Sequence, residues 1–204
     1  MTLVTADLSI SLDGYVTGPR PSRAAPLGRG GERLHEWVHR LDSWRDPSAA
    51  SGGGGGPDAD VLAERAEGVG AVIMGGRMFA HGGAPWGEEP PFRVPVLVLD
   101  RTPREPLRRG RTLFRFVTGG PAEALAEARR HSGDGKIAVA GGALTVRRFL
   151  LAGLVDDLQL HLVPILLGGG TRLFDGPVPE GIRLEQTRVI GSPTVTHLRY
   201  LVRR

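Results

Sequence analysis

A buried strand that ends in two glycines and runs directly into a helix can hold a phosphate, and residues 137–151 have that form. Ile137, Ala138, Val139 and Ala140 make a short apolar run, and Gly141 and Gly142 follow. A helical pattern then sets Leu144, Phe149, Leu150 and Leu151 apart from the polar Arg147 and Arg148, and Gly153 stops it. The first N–H groups of a helix have no partner within it, and the aligned peptide dipoles leave that end positive. With no side chain on either glycine, a phosphate can reach those N–H groups. Other reactive types also sit at strand ends: Asp13-Gly14, Gly76-Arg77 and Arg101-Thr102. Asp13 either closes a turn with Gly14 or offers a carboxylate that orients a substrate or a water. Trp86, in a Pro-Trp-Gly loop, is a candidate wall for a planar substrate. His35 and His39 stand one helical turn apart with no third ligand in view, so no metal site is expected.

The elements that must position these groups follow from periodicity. Residues 2–10 alternate, with Val4, Ala6, Leu8 and Ile10 on the more apolar face, which reads as a strand. Residues 16–31 form a Gly-, Pro- and Arg-rich loop that could close as a lid. From Glu32 onward Leu34, Trp37, Val38 and Leu41 recur at helical spacing, with Glu36 and Asp42 as the acids on that helix. The five glycines at 52–56 are punctuation, so residues 45–57 are expected to be a second flexible loop. A helix over 58–67, a strand over 71–74, a short helix from 76, and strands over 94–99 and 112–117 come next. The helix at 121–132 starts with Pro121 and ends with Arg129, Arg130 and His131. After the glycine pair and its helix, a strand sets Leu158, Leu160 and Leu162 against Asp157, Gln159 and His161. Residues 183–190 and 194–202 form a hairpin. The pattern predicts an α/β protein of three layers, α-β-α, with a mostly parallel central sheet and antiparallel C-terminal strands, as one domain over 1–204. In such sheets ligands bind beyond the carboxyl ends of the strands.

Composition narrows the classes. The chain has 204 residues, 40 % of them apolar, and no run long enough to cross a membrane. It starts directly in a strand pattern without a leader signature, so cytoplasm is the expected address. There is no cysteine, which excludes disulfides and thiolate chemistry. The net charge is +4 and the sequence pI about 10.5. The positive residues are scattered and, apart from Lys136, all arginine, so nucleic-acid binding is not expected.

The segments SLDGY, GAVIMGGRMF, VPVLVLDRT and KIAVAGGALTVRRFLLAGLVDDLQLHLVPILLGGGTRLF, in that order over roughly residues 1–175, resemble the dihydrofolate-reductase-like superfamily. The branch is the one resembling the reductase domain of bacterial riboflavin biosynthesis. The resemblance implies an eight-stranded, mostly parallel sheet, NADPH binding and a homodimer. It places the pyrophosphate on Gly141 and Gly142, with Ala143, Leu144 and Thr145 at the helix start. Gly76, Arg77, Arg101 and Thr102 fall near the adenosine phosphates, and Met78, Leu99 and Ala140 complete the cofactor side. Asp13, Leu167 and Gly168 border the nicotinamide and substrate. Classical folate reductases carry a carboxylate on the first helix; Glu36 and Asp42 are the candidates here, Glu36 taken as the second catalytic group after Asp13. Asp100, beside the expected adenosine ribose, would favour NADH, whereas Arg101 favours NADPH and could neutralise the acid. NADPH is the expected cofactor and NADH the alternative.

The resulting expectation is a cytoplasmic reductase that transfers hydride from NADPH to a small heterocycle or related C=N or C=O compound. An aminouracil-phosphate reductase of the riboflavin pathway is the first alternative; the missing cysteines leave no accompanying zinc deaminase. A cofactor-binding protein without turnover is the second. Valine at Gly141 is expected to remove cofactor affinity and spare the fold.

Overall fold

Strand β1 (Val4–Ser11) is the N-terminal alternating stretch, and the chain returns to it twice from far along the sequence. The other strands are β2 (Tyr15–Thr17), β3 (Val69–Gly75), β4 (Val96–Leu99), β5 (Leu107–Arg109), β6 (Thr112–Val117) and β7 (Lys136–Val139). The last four are β8 (Asp157–Val163), β9 (Thr171–Arg172), β10 (Arg183–Gly191) and β11 (Thr196–Arg203). The helices are α1 (Glu36–His39), α2 (Gly56–Ala66), α3 (Gly76–Gly82), α4 (Pro121–His131) and α5 (Ala143–Leu151). This computed structural model describes residues 2–42, 56–82 and 86–204.

Nine strands form one sheet in the order β10-β11-β8-β1-β7-β3-β4-β6-β5. The six from β8 to β6 are parallel, while β11 and β10 at one edge and β5 at the other run antiparallel to their neighbours. The ninth strand, one more than the resemblance implies, is β5, which folds back on β6 across Gly110. A separate two-stranded sheet pairs β2 with β9.

Helices cover both faces, so β3 and β4 are apolar on both sides, whereas β1 and β8 keep one polar face. On one face, Val4, Ala6, Leu8 and Ile10 pack with Leu125 and Ala128 of α4 and with Val146, Phe149 and Leu150 of α5. On the other, Phe79 of α3 joins Val72, Met74, Val96, Val98 and Phe114. Leu34, Trp37 and Val38 around α1 pack there against Val163 and Val195. The polar alternates of β1 and β8 (Asp7, Ser9, Asp157 and His161) also face α1 and α2.

Three expectations are corrected. The helix expected from Glu32 to Leu41 is a 3-10 turn, Gly31–His35, followed by the single turn α1; His35, at φ −115°, breaks the run. Residues 16–31 are not a plain flexible loop. They include Val16 and Thr17 of β2, bury Val16 in the main core, and are tied by Gly18 N–H to the Leu27 carbonyl and Arg29 N–H to the Pro19 carbonyl, at 2.8 and 2.9 Å. Gly170 packs so tightly on this segment that a Cβ there would collide with the Thr17 carbonyl. Of the loop expected over 45–57, Gly56 and Pro57 begin α2 and the rest lies outside the described residues.

Phe149 is fully buried between α5 and the sheet. Phe149→Ala should destabilise the fold by about 3–5 kcal/mol, read from the midpoint of a urea titration.

Candidate functional site

Strands β1, β7 and β3 are adjacent, so the turns that leave their carboxyl ends form one edge. At β7 the turn is Ala140-Gly141-Gly142. Ala140 is half-buried, and its N–H donates to the Ile73 carbonyl at 2.9 Å, keeping the strand in register to its last residue. Gly141 has φ +102°, a conformation suited to glycine, and a Cβ there would lie 3.1 Å from Leu8 Cδ2. The Gly141–Gly142 peptide is cis. Gly142 begins α5 with no side-chain cap, and a Cβ there would meet nothing within 4 Å. Thr145 and Val146 donate their N–H groups to the Gly142 carbonyl at 2.9 and 3.2 Å, so the helix is already wound at its first turn. The N–H groups of Ala143 and Leu144 come too early in α5 to find an acceptor within it. Ala143 is buried, whereas Leu144 is 40 % exposed. The corner is an open cradle of backbone donors at the positive end of an amphipathic helix. Valine at Gly141 would strain the backbone; Gly142 is the position where a side chain fills the cradle.

The neighbouring turn after β3 crowds this corner from the side. A Cβ on Gly75 would lie 2.5 Å from Thr145 Oγ1, and one on Gly76 would lie 3.1 Å from the Leu99 carbonyl and 3.4 Å from the Asp100 carboxyl carbon. Arg77 is exposed at the start of α3, Met78 is half-buried against the core below, and Leu99 is half-buried at the end of β4. Arg101 and Thr102 are exposed beyond it. The expected neutralisation of Asp100 by the Arg101 side chain is corrected. Arg101 donates only its backbone N–H to Asp100 Oδ1, at 2.7 Å, while the guanidinium that faces Asp100, at 3.4 Å, belongs to Arg104. Arg104 also lies over the Phe116 ring, 4.6 Å from its centroid. It was missed because its spacing from the strand end carries no motif; the aromatic residues beneath it are the signal that was available.

Asp13 sits at the end of β1, where it ties two turns together. Ser11 Oγ–H donates to Asp13 Oδ1 at 2.6 Å, and the N–H groups of Gly168 and Leu167 donate to the carboxylate at 2.8 and 3.2 Å. The Ser11 hydrogen bond, with the Gly168 and Leu167 donors behind it, outweighs partial burial and holds this carboxyl at about 2, below its ordinary 3.8. Asp13 is an anion at neutral pH and no proton donor. It fixes the loop carrying Leu167 and Gly168, and the three residues expected beside the nicotinamide do come together.

Glu36 and Trp86 do not join them. Glu36 lies on the outer side of α1, its side chain 57 % exposed and 3.5 Å from Arg40, because Trp37 and Val38 take the buried side. Asp42 is exposed too. Trp86 is a packing residue: its ring meets Phe92 edge-on at 5.1 Å and Phe114 at 6.4 Å, and it fills the space beside Gly82. Among the described residues, no group of three or more His, Asp or Glu side chains could hold a metal ion, and no helix is long and apolar enough to cross a membrane.

Asp13→Ala removes the acceptor of the Leu167 and Gly168 N–H groups, which water can partly replace, and should cost about 1 kcal/mol. The folded-state carboxyl is depressed, so its stabilisation is present above about pH 4 and is lost as pH falls towards about 2. The gap between wild type and variant in urea midpoint should close over that range.

Several solved structures share this architecture. A riboflavin biosynthesis protein from Shewanella sp. PV-4, itself described as putative, superposes with a TM-score of 0.70 at 22 % identity, over 100 % of both chains. Dihydrofolate reductase from Enterococcus faecalis, complexed with NADP(H), gives 0.59 at 13 % identity, over 98 % of this chain and 96 % of that one. RibD of Acinetobacter baumannii gives 0.62 at 19 % identity, over 99 % of this chain and 58 % of that one. No curated protein matches the chain in sequence. The model of the RibD C-terminal domain family matches residues 2–197, nearly the whole chain, and the protein belongs to that family.

Proposed function

We propose that the protein is an NADPH-dependent reductase acting on a small, flat, polar compound with a C=N or C=O bond, a heterocycle in the first instance. The observation that carries this reading is the uncapped cradle at Gly141–Gly142, on the carboxyl edge of the sheet in a RibD C-terminal domain. Its fit to a dinucleotide rests on three features: backbone donors with no side chain over them, a helix N-terminus, and arginines one and two strands further along. The N–H groups of Ala143 and Leu144 would hold the diphosphate, with Thr145 beside them. Arg77, Arg101, Thr102 and Arg104 would face the adenosine end. Arg104 offsets the charge of Asp100, which supports a 2′-phosphate there and hence NADPH over NADH.

When bound, the reduced nicotinamide supplies the hydride. The chain's own part is placement. Met78, Leu99 and Ala140 bound the cofactor side with apolar surface, and Asp13 holds Leu167 and Gly168 as the substrate-side rim. Because Asp13 is ionised and hydrogen-bonded three ways, the proton that accompanies the hydride comes from water. A cytoplasmic homodimer completes the reading. The same site on an aminouracil phosphate, as in riboflavin synthesis, is the second reading, favoured by the family to which the chain belongs.

Quenching of tryptophan fluorescence should show NADPH bound more tightly than NADH. In Gly142→Val the affinity should fall at least about tenfold, about 1.4 kcal/mol, with the melting temperature retained. Cofactor oxidation with dihydrofolate and a panel of heterocycles then reads turnover. Undiminished affinity in the folded variant would overturn the placement of the diphosphate.

A further inference from the structure

Four side chains that take no part in that site form one hydrogen-bonded line beneath α1 and α2. His161 Nε2 lies 3.0 Å from Asp7 Oδ1, His161 Nδ1 lies 2.6 Å from His197 Nδ1, and His197 Nε2 lies 3.0 Å from Asp58 Oδ1. The two rings are directly opposed across β8 and β11, and only 1 % and 2 % of their surface is exposed. Trp37 roofs both, at 4.7 and 5.1 Å between centroids, and its Nε1–H donates to Ser9 Oγ at 3.1 Å.

Helix α2 closes the line at both ends. Asp58, in its first turn, takes His197 and also the Ser192 hydroxyl at 3.0 Å, and Arg65, in its last turn, reaches Asp7 at 3.5 Å. Val61 is the one fully buried side chain of this helix among the described residues. Much of its remaining hold is ionic, including Glu64 with Arg188 and Arg199, both at 2.7 Å.

Each of the three contacts in the line needs one hydrogen, and two neutral imidazoles supply only two. If both rings donated from Nε2 to their carboxylates, two bare lone pairs would face each other across 2.6 Å. A hydrogen between the Nδ1 atoms is therefore one more than two neutral rings carry. Burial alone would raise the Asp7 carboxyl, but the charges of His161 and Arg65 and the His161 hydrogen bond hold it at about 2. Burial lowers His197, and His161 adds to this, against the pull of Asp58 and Asp7. Asp7 thus stays an anion beside the rings.

We propose that the Asp7–His161–His197–Asp58 line is a proton-gated latch: one proton shared by the two Nδ1 atoms locks α2 and the Trp37 layer onto the sheet, and its loss releases them. Neither cofactor nor substrate is needed, so the latch stands or falls apart from the reductase reading.

The charged and titratable groups facing the pair are Asp7 from β1, Asp58 and Arg65 from α2, and His35 from the turn before α1. Arg199 of β11 is committed to Asp157 and Glu64. His35 has a buried Nδ1 without a hydrogen-bond partner, and burial, then His39, Arg65 and His161, push it down to about 4, so it is neutral at pH 7. A proton held more tightly in the folded state stabilises docking at low and neutral pH, and that contribution is lost as pH rises through its release. On the acid side His35, lowered, makes folding less favourable as pH falls below the ordinary histidine value of about 6.5.

Long-range proton–nitrogen spectra of the full chain with 15N-labelled histidine test the latch without any variant. At neutral pH both Nε2 atoms should carry hydrogen and one far-downfield proton should couple to both Nδ1 atoms. Protection of the α2 amides against hydrogen exchange, corrected for intrinsic rates, should fall at least about tenfold as that proton titrates away in alkali. Asp58→Asn keeps an acceptor oxygen but removes a charge, and should move both events to lower pH together. Two unprotonated Nδ1 atoms at neutral pH, or α2 protection indifferent to the loss of the proton, would overturn the proposal.

Discussion

The parallel insertion of β1 between β7 and β8 is the constraint on which the rest depends. Val4, Thr5 and Ala6 pair with Ile137, Ala138 and Val139, and residues 5–11 pair in unbroken register with 157–163. One strand from the first dozen residues is thereby held by two from the last third of the chain. Three consequences follow. Leu8 closes the floor under Gly141, Asp13 arrives beside the Leu167–Gly168 loop, and Ser9 is set opposite His161. A slip of one residue would turn Val4, Ala6, Leu8 and Ile10 to the polar face and undo all three at once.

The two faces of that strand do different work. Its apolar residues join the core beneath α4 and α5, which fixes the helix whose N-terminus makes the cradle. Its polar residues support the layer of α1 and α2 through ions and hydrogen bonds. The proposed cofactor cradle lies at the strand ends, where backbone rather than side chains provides the donors. As a RibD C-terminal domain, the protein is a nicotinamide-dependent reductase in which the cofactor carries the redox chemistry and the chain supplies position.

Much of this was legible in the sequence wherever local periodicity coincides with burial. The alternation of β1, the helix from Pro121, and the run from Ile137 through the glycine pair to Leu151 all appear where the pattern puts them. Short pieces were not legible. β2, β5 and β9 span two or three residues each, too few for a period, and they exist because partner strands are brought to them. Side-chain partnerships across the fold were not legible either. Period two places His161 on the face of Asp157 and Gln159, but nothing local to it reveals His197 or Asp7. Likewise Arg101 is next to Asp100 in the chain, yet it meets the carboxylate only through its backbone N–H, and the guanidinium paired with it is that of Arg104. Glu36 fails for the converse reason: a single helical turn cannot bury Trp37 and Val38 and still aim Glu36 inward.

The central claim is that bare amides at the start of α5 take a dinucleotide's diphosphate. A crystal of the protein grown with NADPH tests it most directly. The expected result is diphosphate oxygens within hydrogen-bonding distance of the Ala143 and Leu144 N–H groups, with the nicotinamide towards Asp13. A cofactor lodged elsewhere, or the Gly141–Gly142 corner closed by the protein's own atoms, would contradict it.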